Sequence, residues 1–130
     1  MAMHVELVSP ERILYSGDAE MVICRTVDGG DVAFLADHAP FLGALEVSTV
    51  TVRTTDRDDV IAAVHGGFVH VRGNEVILLS DVAELADDID VERARRAQER
   101  AERKEEEMDD AEAEAALRRA HVRLDVAGSR

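Results

Sequence analysis

The side chains best suited to chemistry in this sequence are two arginines near its carboxyl end. Arg119 and Arg123 are four residues apart in a segment of helical composition, so both guanidinium groups should lie on one side of a helix. No acidic residue stands between them. Because a guanidinium group forms paired hydrogen bonds with a carboxylate or a phosphate, this pair could bind a carboxylate cluster or a phosphate. The other interpretation is a solvent-exposed pair without a ligand.

The histidines offer weaker chemistry. Asp37 could orient His38 as a general base, but no nucleophile stands nearby in the sequence, and structural hydrogen bonds within a loop are the expected role. His65 and His70 are five residues apart, which on a continuous strand places them on opposite faces, so no metal site is expected. The motifs of phosphate loops, dinucleotide turns, zinc-binding helices and nucleophile elbows do not occur in the sequence. These features indicate that the chain is not an enzyme.

Composition narrows the function further. The 130 residues include 28 acidic and 15 basic side chains, which give a net charge of −13 at pH 7. Phosphate backbones repel such a chain, which argues against a nucleic-acid role. No apolar run reaches the roughly 18 residues of a membrane span, and the first residues lack the features of a signal peptide, so a cytosolic or peripheral protein is expected. Cys24 is the single cysteine and predicts a buried, inert thiol.

The pattern of the sequence changes at Ile89. Before it, short apolar runs separated by turn residues are typical of a flattened sandwich or barrel of nine or ten strands. After it, residues 90–127 contain no Gly, Pro, Ser, Thr, Asn, Phe, Tyr or Trp, and this composition predicts helix. The expected strands are His4–Val8, Arg12–Tyr15, Ala19–Val27, Val32–Leu35, Leu45–Thr54, Val60–His65, Phe68–Arg72, Glu75–Ser80 and Val82–Leu85.

Three connections within the strand region are also predicted. Gly66-Gly67 indicates a bulge or a close crossing of two backbones at a corner of the sandwich, with Phe68 as the side chain that fills this corner. Gly73-Asn74 predicts a two-residue hairpin loop. The runs 45–54 and 60–65, joined by polar residues, should pair as another hairpin.

The helical tail begins at acidic residues and should divide into two helices. Asp90 can cap the first helix. Five of the six residues 105–110 are acidic and repel one another, so a break is expected near Glu107–Asp110, with one unbroken helix as the alternative. Because the apolar face is mostly alanine, docking of the tail should be marginal and reversible. That face comprises Ala94, Ala97, Ala101, Met108, Ala113, Ala116, Leu117, Ala120, Leu124 and Ala127.

Six short fragments stand in order along almost the whole chain. They are Ser9-Pro10-Glu11-Arg12, Thr26-x-Asp28-Gly29, His38-Ala39-Pro40-Phe41-Leu42, Val64-x-Gly66-Gly67-Phe68-Val69, Val76-x-Leu78-Leu79-x-Asp81-x-Ala83-Glu84 and Ile89-Asp90-x-x-Arg93-Ala94. In this order they resemble the epsilon subunit family of bacterial F-type ATP synthases. The resemblance implies a β plus α fold, with an N-terminal ten-stranded β-sandwich at residues 1–88 and a C-terminal two-helix antiparallel hairpin at residues 89–130.

The resemblance also implies a role in a rotary complex. A protein of this family is a non-catalytic central-stalk subunit, peripheral at the cytoplasmic face of the cell membrane, and associates with the membrane only through the complex. Its sandwich contacts the gamma subunit and the c-ring, and its extended tail enters the alpha/beta catalytic head and inhibits ATP hydrolysis. The implied contacts are Gly29, Gly30, Asp31, His38, Pro40, Phe41 and Leu42 on the sandwich and Arg118, Arg119 and Arg123 on the tail.

Some members of this family bind ATP between the sandwich and the folded hairpin. No cofactor is required, but the resemblance implies that ATP could act as a regulatory ligand here, through Ile89, Asp90, Arg93, Ala94, Arg119 and Arg123. The other interpretation is that Asp90 only caps the helix and Arg93 only pairs with a nearby glutamate. The alternative function is a free-standing adaptor whose tail forms a coiled coil with a partner, which would require sustained heptads.

Overall fold

The computed structural model describes residues 2–56, 58–107 and 111–128, with the side chains of residues 105–107 left out. Within these ranges nine strands precede a short 3₁₀ turn and two helices, as the change of composition at Ile89 predicts. The elements are β1 Met3–Val8, β2 Ile13–Thr26, β3 Gly30–Leu35, β4 Phe41–Ala44, β5 Val47–Thr54, β6 Asp59–His65, β7 Phe68–Arg72, β8 Glu75–Leu79, β9 Ala83–Leu85, the 3₁₀ turn Ala86–Asp88, α1 Val91–Glu107 and α2 Ala111–Gly128.

The strands form one sheet in the order β4-β7-β8-β1-β2-β5-β6-β9, with β3 also paired to β2. The pair β1 and β8 is parallel, and the other strand pairs are antiparallel. The predicted β plus α architecture is confirmed, and the described residues form nine strands, which agrees with the nine or ten expected from the pattern and is one fewer than the ten implied by the resemblance. The predicted separation of Arg12–Tyr15 from Ala19–Val27 is wrong, because Ser16, Gly17 and Asp18 pair with β1 inside one long strand.

The core of the sandwich is aliphatic. Inward-facing residues from most of the strands form one cluster, and Phe34 is its largest fully buried side chain. The lone Cys24 is part of this cluster, and burial raises the pKa of its thiol to about 11, as expected for an inert cysteine. The fully or nearly fully buried aliphatic residues include Met3, Val5, Leu7, Val22, Val50, Val52, Val64, Val69, Val71, Val76 and Leu78.

The strand β6 is apolar on both faces. Its residues Ala62 and Val64 belong to the core, whereas Ile61 and Ala63 belong to a second cluster that includes Ile89 and Val126. A strand that is covered on both faces reads as a continuous apolar run, and the sequence of β6 has this form. The predicted hairpin of β5 and β6 therefore does more than close the core, because its outer face receives the helical tail.

The corner at Gly67 needs a residue without a side chain. Gly67 has a φ of +119°, and a Cβ atom placed there would lie 2.0 Å from the backbone oxygen of Leu79. The predicted close crossing of backbones is thus confirmed. The predicted role of Phe68 is wrong, because its side chain points outward from the sheet and is 57% exposed.

The two helices fold back as a hairpin on the sandwich. The backbone N–H of Arg93 donates to Oδ1 of Asp90 at 3.1 Å, so Asp90 caps α1 as predicted. Helix α2 packs on β5 and β6, and α1 packs on α2. The predicted break near residues 107–110 falls mostly outside the described residues, since α1 ends at Glu107 and α2 begins at Ala111; Met108 also lies outside them.

Candidate functional site

Two adjoining cavities lie along the hairpin where it meets the sandwich. The inner cavity measures about 340 Å³ and the outer cavity about 300 Å³, and both are lined by Ala97, Arg100 and Arg123. We call the two together the interhelical groove. The inner cavity is also lined by Glu84, Asp88, Asp90, Arg93 and Ala94, and the outer one by Ala101, Lys104, Glu112, Ala113, Ala116 and Arg119. The groove therefore carries five cationic and four anionic side chains.

The start of α1 brings four predicted residues together, in different roles. Asp90 and Arg93 are exposed and line the inner cavity, where Asp90 also caps the helix. Ala94 is buried and forms part of the cavity wall. Ile89 is 6% exposed and packs in the cluster beneath the hairpin, so it anchors the hairpin and does not line the groove.

Arg123 pairs with Glu84, a residue of the sandwich that sequence analysis did not single out. We call the sandwich, strands β1 to β9, the body. Nε of Arg123 donates to Oε1 of Glu84 on β9 at 2.7 Å, and Nε2 of His65 on β6 lies 3.0 Å from the same oxygen. The hydrogen bond from His65, followed by the contact with Arg123, outweighs partial burial and lowers the pKa of Glu84 to about 2. Glu84 is thus an anion at all ordinary pH values, and it joins a strand of the body to α2.

Arg119 also has an acidic partner. Its Nη2 donates to Oε1 of Glu112 at 2.9 Å within the outer cavity. The two arginines therefore lie on one helix as predicted, but each is paired with a carboxylate seven or more residues away in sequence. An incoming anion would have to compete with Glu112 and Glu84. The third predicted arginine, Arg118, is exposed and lines neither cavity.

The first predicted contact segment, Gly29 to Asp31, comprises the last residue of the turn between β2 and β3 and the first two residues of β3. The backbone N–H of Gly29 donates to Oγ1 of Thr26 at 3.0 Å, and Gly30 has a φ of +67°. Nε of Arg25 donates to Asp31 at 2.8 Å, and this hydrogen bond lowers the pKa of the carboxyl. The turn is exposed and held in shape by its own polar contacts.

The second predicted segment, His38 to Leu42, lies at the other end of β3. The His38 ring packs edge-on against Phe34 with centroids 4.8 Å apart, and its Nδ1 lies 2.7 Å from the backbone oxygen of Ala39, so its contacts are structural, as expected. Phe41 also packs on Phe34, whereas Pro40 is exposed and Leu42 is 70% exposed. His38 lies at the end of β3 opposite to Gly29, but β4 runs back towards the turn, where the backbone N–H of Val27 donates to the backbone oxygen of Ala44 at 2.9 Å. The end of β4 therefore connects the second segment to the turn.

An exposed apolar surface adjoins the second segment. Leu42, Phe68 and Leu79 project from the same face of the sheet, as the registers of β4, β7 and β8 show, and all three are more than half exposed. We call these three residues the apolar face. A groove of about 510 Å³ runs beside it, lined by Val8, Ser9, Pro10, Gly67, Phe68, Leu79, Ser80 and Asp81. Sequence reasoning placed Phe68 inside the corner and so missed this surface.

Two kinds of site receive no support in the described part of the chain. No group of three or more His, Cys, Asp or Glu side chains there is arranged to hold a metal ion. His65 and His70, considered above as a pair, lie on different strands. Among the described helices, none combines the length and the hydropathy needed to cross a bilayer.

Comparison with known proteins agrees with this architecture. Residues 2–86 match the family model described as "ATP synthase, Delta/Epsilon chain, beta-sandwich domain", and residues 87–128 match "ATP synthase, Delta/Epsilon chain, long alpha-helix domain". An ATP synthase epsilon chain from Streptomyces griseus is 50% identical over 122 residues, which cover 94% of this chain and 92% of that protein. One from Halalkalibacterium halodurans is 46% identical over 131 residues, which cover 97% of each.

A solved structure shares the fold. A chain of the Euglena gracilis mitochondrial ATP synthase, determined by cryo-EM, superimposes with a TM-score of 0.83 at 23% identity, over 97% of this chain and 81% of that one. The two family models together span residues 2–128, and the bacterial relatives align over nearly their full length. The chain therefore belongs to the family of ATP synthase delta and epsilon chains.

Proposed function

We propose that this chain is the central-stalk epsilon subunit of an F-type ATP synthase and that it regulates ATP hydrolysis through its hairpin. It couples rotation of the c-ring and gamma subunit to the catalytic head, is not itself an enzyme, and lies at the cytoplasmic face of the membrane as part of the complex. The observation that carries the proposal is the architecture: a sandwich with its own aliphatic core holds a hairpin through a small interface rich in alanine.

The apolar face supports a permanent contact with the stalk. Leu42, Phe68 and Leu79 are large apolar side chains left exposed next to one another, and contiguous exposed apolar surface marks protein interfaces. The segment from His38 to Leu42 leads into this face, which makes it the better placed of the two predicted segments for the gamma subunit. The segment Gly29 to Asp31, at the start of β3, is the proposed contact with the c-ring.

The hairpin supports a reversible role. Buried alanines contribute about one CH₂ equivalent each, about 0.8 kcal/mol, so the hairpin is held weakly compared with the core. Released from the body, α2 would free Arg119 and Arg123 from their carboxylate partners, and together with the exposed Arg118 they would pair with acidic segments of the alpha/beta head. The free-standing adaptor is the weaker alternative, because Ala97 and Ala101 of α1 line one cavity with Ala113 and Ala116 of α2 and do not form an open heptad seam.

Hydrolysis by the assembled complex tests the inhibitory role. We expect a complex that carries a chain ending at Asp88 to hydrolyse ATP faster than one that carries the full chain. Replacement of Arg118, Arg119 and Arg123 by Gln should relieve inhibition to a similar extent. The matched control replaces three α1 arginines, Arg95, Arg96 and Arg103, by Gln and should inhibit normally. Equal hydrolysis with the full and the shortened chain would refute the proposal.

We also propose that the interhelical groove binds ATP when the hairpin is folded. The groove offers Arg93, Arg119 and Arg123, with Arg100 and Lys104 beside them, which is a cationic set suited to a polyphosphate. Its volume is in the range of small-molecule pockets. Bound ATP would hold α1, α2 and the body together and so favour the folded, non-inhibitory hairpin.

Calorimetric titration of the full chain with ATP and Mg²⁺ tests this site. We expect binding that weakens at least tenfold in the Arg93→Gln variant, because a charged hydrogen bond to phosphate is lost. The control is Arg118→Gln, which removes the same charge outside the groove and should bind like the original chain. Absence of heat at millimolar ATP would remove the nucleotide proposal and leave the inhibitory role untouched.

A further inference from the structure

One polar contact ties α2 to the sandwich in a way that apolar packing does not explain. His65 lies on β6 with a side chain only 5% exposed, and its Nε2 is 3.0 Å from Oε1 of Glu84 on β9. Arg123 donates to the same oxygen from α2 at 2.7 Å. A single carboxylate oxygen thus links a buried histidine of the body to an arginine of the helix.

Burial of His65 lowers the stability of the fold. Nδ1 of His65 is buried and has no hydrogen-bond partner among the described residues, and a buried polar atom without a partner lowers stability. The neighbouring residues of β6 are apolar, so an apolar residue at position 65 would avoid this cost. The interaction of Nε2 with Glu84 is the one feature of the site that an apolar residue could not supply.

We propose that His65 is a positioning residue for Glu84 and that His65, Glu84 and Arg123 together fix the place at which α2 docks on the sandwich. Contacts between alanines and valines are not directional and permit sliding, whereas a hydrogen-bonded ion pair has one geometry. Glu84 is 26% exposed, so without His65 its carboxylate is free to turn towards solvent and away from Arg123. The proposal depends on the proposed function only for its consequence in the complex.

The surroundings of His65 are consistent with an electrostatic role for the contacts that join His65, Glu84 and Arg123. The residue opposite it in β5 is Val47, which carries no charge. The lowered pKa of Glu84 has the hydrogen bond from His65 as its largest favourable cause, ahead of Arg123. The charged groups that share the inner cavity with Glu84 and Arg123 are Asp88 from the 3₁₀ turn, Asp90 before α1, and Arg93 and Arg100 from α1.

Amide exchange of α2 in the isolated full chain tests the proposal. In the His65→Leu variant, which removes the donor, we expect the amides of residues 119–127 to exchange about tenfold faster, as for loss of a hydrogen bond to a charged group. Amides of β1 and β8, on the far side of the sheet, should be unaffected. His65→Gln keeps an N–H that can reach Glu84 and should restore most of the protection, and His70→Gln on β7 is the matched control without effect.

A double-mutant comparison separates positioning from a general effect on folding. In an Arg123→Gln background, His65→Leu should change α2 exchange no further, because the ion pair between α2 and Glu84 is already absent. The pKa of the Glu84 carboxyl, followed by NMR, should rise from about 2 in His65→Leu and should not change in His70→Gln. If His65→Leu does not fold, Glu84→Gln replaces it in this comparison. Glu84→Gln should increase α2 exchange as much as Arg123→Gln does, and the double variant should exchange no faster than either single variant.

Three results would overturn the proposal: unchanged α2 protection in His65→Leu, full additivity with Arg123→Gln, or failure of His65→Gln to restore protection. These results concern docking in the isolated chain. The hydrolysis comparison of full and shortened chains reports inhibition separately, so either proposal can fail while the other stands.

Discussion

The sandwich core and the hairpin interface are built from different side chains, and this difference separates a permanent structure from a movable one. The core is filled by Val, Leu, Met and Phe34 with almost no exposure, drawn from most of the strands. The hairpin meets the body through a small cluster of Ala63, Ile89, Val126 and Ala127, and its helices meet through alanines. Because buried area sets the stabilisation, the body should survive without the hairpin, and the hairpin should open without unfolding the body.

The largest predicted effect lies in the body, at the corner made by Gly67. Gly67→Ala places a methyl group against the backbone of Leu79 at a φ that side chains rarely adopt, so we expect a loss of about 3 kcal/mol or more in the free energy of unfolding. The control is Gly73→Ala, where φ is +60° and nothing lies within 4 Å of the added atom, and its cost should be about 1 kcal/mol. Chemical denaturation measures both, and equal losses would contradict the close crossing.

The second prediction applies one substitution to both regions. Val76 in β8 and Val126 in α2 are 1% and 0% exposed, so truncation to Ala should cost about 2 kcal/mol at either place. In Val76→Ala the loss should appear in global unfolding. In Val126→Ala it should appear as easier opening of the hairpin, with global unfolding of the strands unchanged. If both variants lower the global free energy of unfolding alike, the body and the hairpin form one cooperative unit.

The third prediction concerns overpacking of the hairpin. Ala120 of α2 is 1% exposed and lines neither cavity of the interhelical groove, so the larger side chain of Ala120→Leu finds no open space there and should destabilise the closed hairpin by about 1 to 2 kcal/mol. Ala111→Leu makes the same change at an exposed position of α2 and should have no measurable cost. Protection of α2 amides from exchange gives the comparison, and tolerance of Leu at position 120 would show that the interface is loosely packed.

The smallest predicted effect is an acid dependence of docking. The folded-state pKa of Glu84 is about 2, below its ordinary value of 4.5, so its contribution is complete above about pH 5 and is lost as pH falls towards 2. Spin labels at the exposed positions 55 and 121 report the separation of body and α2 across this range. In Glu84→Gln the acid-dependent part of the separation should vanish. An unchanged profile would exclude Glu84 as its source.

The features that could be predicted from the sequence are those set by neighbouring residues. The hairpin loop at Gly73-Asn74, the pairing of β5 with β6 and the cap at Asp90 each depend on residues close in the chain, and all three are confirmed. The partners of Arg123 could not be predicted, because Glu84 is 39 positions away and comes near only when the hairpin folds on the sheet. The unbroken apolar run in β6 was the available signal that a helix covers its outer face.

The two wrong predictions, at Ser16 to Asp18 and at Phe68, depend on strand pairing and not on the type of each residue. Ser16, Gly17 and Asp18 are typical turn residues, yet pairing with β1 keeps them in a strand, since register along a whole edge outweighs local preference. Phe68 was assigned to the core on its side chain alone, whereas its position opposite Leu79 in the register of β7 and β8 places it on the outer face. Tertiary pairing decided both cases.

Native-state amide exchange at increasing denaturant tests the central claim, that the hairpin opens at a lower free energy than the body unfolds. We predict that amides of α1 and α2 exchange through an opening of much lower free energy than those of β1, β2 and β8, and that this opening precedes global unfolding. Exchange of the helices only together with the strands, at the free energy of global unfolding, would contradict the account.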